Sequence, residues 1–173
     1  MDTGMLLIRV TIGILLVGHG AQHGLGWFGG YGADGTGAWL EGFGFRQGRR
    51  TAVLLGVSEI AVGTMFGAGL LVPLAAAGIV GITLAAAMTD HAGKGPWIWK
   101  GGYEYVLVLG VVAVSVAFAG PGAVSLDDQL GLDLSGTGWG IAAAAAGVAS
   151  GFGVLATRAP GRERAGELSS VAG

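Results

Sequence analysis

The 173-residue chain contains no cysteine. That excludes disulfides, thiolate metal sites, cysteine-linked haem and any thiol relay within the chain. Redox chemistry, if the protein performs it, must run through a bound cofactor or another subunit. Charge is also scarce: Asp, Glu, Lys and Arg make up 12% of residues, against about 25% in soluble domains. With 52% hydrophobic residues and a mean hydropathy of +0.68, a soluble globule is excluded. The first apolar run lacks the basic start and small-residue cleavage site of a signal peptide. It is also too long, and too rich in His and Gln at its far end, to be one.

What is present is a set of long apolar runs. About 20 residues at a rise of about 1.5 Å each cross the hydrocarbon core of a bilayer. Five spans are expected, at Met5–Leu25, Ala52–Val72, Leu74–Met88, Tyr103–Phe118 and Trp139–Ala156. The fold class is therefore an all-α integral membrane protein. A turn containing Pro73 joins spans two and three in a tight hairpin. Glycine pairs at Gly20/Gly24, Gly63/Gly67 and Gly147/Gly151 have the spacing that lets helix backbones approach closely in lipid.

Basic residues set the expected orientation. Arg46, Arg49 and Arg50 lie in the first loop, Lys94 and Lys100 in the third, and Arg158, Arg162 and Arg164 in the tail. With five spans these share one side, whereas the fourth loop carries Asp127, Asp128 and Asp133 and no basic residue. The amino terminus is placed outside, and the first loop, third loop and carboxyl terminus in the cytoplasm of a multi-pass cell-membrane protein. In the first loop (28–50), GGYGADGTG reads as a flexible turn. Thr36 then caps a short interfacial helix presenting Trp39, Leu40 and Phe43. Residues 129–157 form an extracytoplasmic acidic loop and the fifth span, and 158–173 a disordered tail.

Ionisable groups inside or beside apolar spans are costly and are functional candidates by default. Two segments concentrate them: HGAQHGLGWFGG from His19, and KGGYEYVLVLG from Lys100. His19 and His23, four residues apart, share a helix face, and Gln22 adds an amide. Counting about 1.5 Å per residue puts His19 and Glu59 at similar depth, each roughly 12 Å from its helix end, where they could pair. Glu104 lies between Tyr103 and Tyr105. A quinone takes up two electrons and two protons, which calls for such a His/Glu/Tyr set near the membrane surface. Other readings stand beside it. Tyr103, Tyr105, Trp27, Trp97 and Trp99 suit an interfacial aromatic belt. Glu59 with His19 would serve helix registry, and Arg9 would snorkel to the headgroups. A metal or haem site on His19, His23 and His91 is a further alternative.

The runs LLIRVTIGILLVGHGAQHGLGWFGG, SEIAVGTMFGAGLL, GGYEYVLVLG and GPGAVSLDD, in that order, resemble the DoxX family over about Met5 to Asp128. The resemblance implies a four-helix transmembrane bundle (1–128), to which this chain adds a fifth helix. It implies linkage, in some members, to a thiosulfate:quinone oxidoreductase. In actinobacteria, whose proteins this composition resembles, it implies an oxidoreductase complex handling thiol and oxidative stress. By position it points to Arg9, His19, Gln22, Gly26, Glu59, Gly102, Tyr103 and Glu104. His23 stands where many relatives carry Lys or Arg. The expected function is a membrane subunit of a quinone-linked oxidoreductase. Its chemistry is assigned to His19, Glu59 and Glu104, and its quinone (menaquinone or ubiquinone type) to His19, Gln22, His23 and Tyr103, with no metal. The alternative is a non-catalytic anchor for a soluble redox enzyme. Expected partners are membrane lipid and a protein of the same complex, with self-association open and no nucleic acid.

Overall fold

The computed structural model describes residues 2–159. Among the described residues seven α-helices follow one another: α1 (Asp2–Leu25), α2 (Gly32–Gly42), α3 (Gly48–Ala68), α4 (Val72–Ala87), α5 (Glu104–Ala119), the single turn α6 (Leu126–Gln129) and α7 (Thr137–Ala156). Among the described residues α1, α3 and α7 are long and apolar enough to cross a membrane. The apolar helices α4 and α5, 16 residues each, cover about 24 Å at the helical rise. The protein is a helical membrane protein.

Glycine decides how these helices meet. Along the antiparallel α1/α3 pair, a Cβ on Gly20 would stand 2.5 Å from the Gly56 carbonyl oxygen. One on Gly13 would stand 2.6 Å from that of Gly63. Backbone thus lies on backbone, as small residues permit in lipid. A second glycine seam joins α7 to α4: a Cβ on Gly147 would lie 2.8 Å from the Ala77 carbonyl oxygen, and one on Gly151 3.1 Å from that of Gly81. The fifth long helix is therefore packed into the bundle against α4 and α5. Ile12, Leu16, Phe66, Val72, Ile79, Leu109 and Ala143 share one core.

Several boundaries differ from the sequence expectation. Helix α3 begins at Gly48, so Arg49 and Arg50 lie in its first turn and not in a loop. It ends at Gly69, whose φ of 67° makes a left-handed cap. Pro73 sits in the first turn of α4, where a missing N–H costs no helical bond. The segment Gly32–Thr36, read as flexible, is the start of α2, and Thr36 is buried inside that helix instead of capping it. Gly37 allows this, because α2 there lies directly on the backbone of Gly48 and Arg49. Arg158 and Ala159, assigned to the tail, clasp the α2–α3 loop. Arg158 Nε donates to the Phe43 carbonyl (2.6 Å), and the Ala159 N–H to that of Gly44 (2.8 Å). The rest of the expected disordered tail, 160–173, lies outside the described residues.

Candidate functional site

Helix α1 brings His19, Gln22 and His23 to the end of the bundle where α3 and α5 begin. His23 Nδ1 lies 2.7 Å from Glu59 Oε2, with His23 27% and Glu59 5% exposed. The pair is therefore His23–Glu59, where depth counting favoured His19–Glu59. Side chains lean toward the amino terminus of their own helix. In an antiparallel pair His23 thus reaches into the bundle while Glu59 reaches toward its end, and they meet across the offset. A carboxylate accepting from Nδ1–H fixes the ring orientation and leaves Nε2 to accept or release a proton. His19 stacks on His23 (centroids 6.0 Å, 28°), and its other neighbour is the Tyr105 ring (6.5 Å).

His19 and Gln22 also stand at one end of an open, largely apolar groove of about 670 Å³ along the α1/α3 seam. Val10, Ile14 and Val17 form its side, and Gly63 and Gly67 keep its floor flat. Phe28 lines the polar end. Gln22 Nε2 donates to the Phe28 carbonyl (3.4 Å).

The remaining expected residues are spread around this end. Glu104 opens α5, half-buried, with its N–H donated to the Pro96 carbonyl (2.8 Å). Tyr103 precedes it, 38% exposed. Neither is hydrogen-bonded to the histidines among the described residues. His91 Nδ1 donates to the Gly101 carbonyl (2.6 Å), tying down its own loop. Among the described residues no three His, Cys, Asp or Glu side chains converge as a metal site. Gly26 adopts φ 74°, and Gly102 is buried against Pro96 with no room for a Cβ; both glycines shape turns. Trp97 and Trp99 stack on each other (5.1 Å, 10°) and are exposed. Tyr105 and Phe28 had been read as belt and loop residues. Phe28 follows His23 closely in sequence, the one signal that could have marked it, whereas Tyr105 is remote in sequence from His19 and only the fold brings the two rings together.

Arg9 is corrected more sharply. It does not snorkel: it is fully buried, and its Nη2 donates to the Val124 carbonyl. Its Nε and Nη1 have no partner among the described residues. The Asp127 carboxylate, also fully buried, is its electrostatic counterpart. Asp127 accepts from the Leu71 N–H (2.7 Å) and the Val72 N–H (3.1 Å), capping α4 from a distant loop. A carboxylate at a helix amino terminus meets both the free N–H groups and the favourable end of the dipole. Ser125 Oγ in turn accepts from the Asp128 N–H.

The DoxX family model matches residues 4–92. This is just over half of the chain, spanning α1 to α4, and the chain belongs to the DoxX family. The segments GGYEYVLVLG and GPGAVSLDD lie beyond the matched stretch. No curated protein and no solved structure matches the chain.

Proposed function

We propose that this chain is the membrane subunit of a quinone-linked oxidoreductase, of thiosulfate:quinone or oxidative-stress type, and that a menaquinone- or ubiquinone-type molecule occupies the α1/α3 groove. The observation that carries the reading is one largely apolar groove with an imidazole and an amide, His19 and Gln22, at one end, backed by the His23–Glu59 pair. An isoprenoid tail suits the apolar wall, and the donor set suits the head. When bound, a quinone supplies a two-electron, two-proton acceptor. His19 and Gln22 hold carbonyl oxygens by donating N–H groups. His23 keeps a proton at Nδ1 against Glu59 and exchanges another at Nε2, and Glu59 balances the charge of the imidazolium so formed. Glu104 and Tyr103, nearer the surface, pass protons between water and this pair. Arg46, Arg49, Arg50, Lys94, Lys100 and Arg158 all lie at this end, so basic-residue bias puts it in the cytoplasm.

Gentle extraction from the native membrane, followed by mass spectrometry of retained lipid, tests the reading. A near-stoichiometric quinone that is lost in His19→Ala is the expected result, and no quinone above bulk lipid would sink it. The anchor reading keeps one specific support, the exposed Trp97–Trp99 stack between Lys94 and Lys100. Crosslinking from that loop to a soluble redox enzyme, with no quinone retained, would favour it.

A further inference from the structure

Phe28 bears a conformational cost that its packing does not explain. Its φ of 52° and ψ of 33° are left-handed, a region unfavourable to any residue with a Cβ. Its neighbours in the turn, Gly26 (φ 74°) and Gly29 (φ 77°), adopt positive φ as glycine does without strain. A phenylalanine held this way for the sake of the fold would bury its ring, yet Phe28 is 75% exposed. Phe28 instead lines the polar end of the groove with His19 and Gln22. Two contacts hold it there. Gln22 donates to its carbonyl, and Trp27 meets it edge-on at 6.3 Å and 88°. Strained backbone that persists without a packing reason gathers at ligand sites.

We propose that Phe28 is a ligand-binding residue of the α1/α3 groove, its ring covering the head end and stacking on a planar conjugated ring. The site then selects a flat head group over a phospholipid of equal tail length, because a phospholipid head offers no π face. Gln22 serves both partners: its amide has two N–H donors, one committed to the Phe28 carbonyl and one left for the ligand. This inference rests on the quinone reading and sharpens it by naming the residue that recognises the ring.

The test is calorimetric titration of the full chain in detergent micelles with a decyl-chain benzoquinone, paired with melting of the ligand-free protein. Wild type binds saturably, and Phe28→Trp binds like it. Phe28→Gly binds about fivefold more weakly, the loss of one stacked aromatic pair. Its ligand-free Tm rises by a few degrees because the strain is gone. Equal binding by wild type and Phe28→Gly overturns the inference and leaves the quinone reading standing. A lower Tm for ligand-free Phe28→Gly also overturns it, since the ring would then be held for the fold. No binding by wild type overturns the quinone reading, and the inference with it.

Discussion

Each end of the bundle buries a carboxylate, and the two are used differently. At the Arg9 end, Asp127 is fully enclosed, both its oxygens accept backbone N–H groups, and it is the electrostatic counterpart of the buried Arg9 guanidinium. At the His23 end, Glu59 has one side-chain partner among the described residues, a partly exposed imidazole that meets it through Nδ1. A carboxylate with both oxygens bonded to the backbone N–H groups of a helix start holds structure together. One paired with a single imidazole engages only Nδ1 of that ring. Burial alone therefore does not separate the two carboxylates; one is held by the backbone N–H groups of a helix start, the other by a single imidazole side chain.

The same substitution at both ends sharpens that contrast. Asp127→Asn is expected to cost about 3 kcal/mol or more, because Arg9 loses its counter-charge and the amide can accept with only one oxygen. Denaturant unfolding in detergent would show it, and a loss below 1 kcal/mol (about fivefold in the equilibrium) would break the comparison. Arg158→Ala comes next, at about 1 kcal/mol, the scale of one hydrogen bond from a charged donor plus a cation–π contact with Phe45 at 6.0 Å. Faster protease cleavage in the Phe43–Gln47 loop, with α1 and α3 intact, would be its signature. Glu59→Gln is expected to change stability least, by less than about 1 kcal/mol, since an amide oxygen still accepts from His23 Nδ1. Quinone-dependent turnover in membranes should nonetheless fall steeply, because an imidazolium at His23 loses its balancing charge. A Glu59→Gln protein as unstable as Asp127→Asn would place both carboxylates in the structural class.

Much of the fold could be read from composition and spacing. The apolar runs of α1 and α7 and the glycine pairs at Gly20/Gly24, Gly63/Gly67 and Gly147/Gly151 were visible because lipid imposes strict local rules. Helix starts were harder. Thr36 looks like a cap, but Gly32–Gly35 turn helical because α2 packs closely on Gly48 and Arg49, a contact no local pattern announces. The sequence gathered His19, Gln22, His23 and Glu59 toward one end of the bundle, where the structure also puts them, but it paired Glu59 with His19, and the structure pairs it with His23. Counting rise locates Cα atoms, whereas hydrogen bonds join side-chain tips that lean in opposite directions on antiparallel helices.

Sequence by itself determined that this protein lies in a membrane as helices, that backbone would meet backbone at glycine, and that its scarce ionisable groups would gather near helix ends. Those outcomes follow from local chemistry, since each residue's cost in lipid is its own. Tertiary structure alone decided that His23 and not His19 meets Glu59. It decided that Arg9 is enclosed under a loop 115 residues away in sequence, and that Phe28 joins the lining of the groove. Each of these depends on where two separate segments come to rest against each other, and a buried charge takes whichever partner the packing of the whole bundle brings within reach.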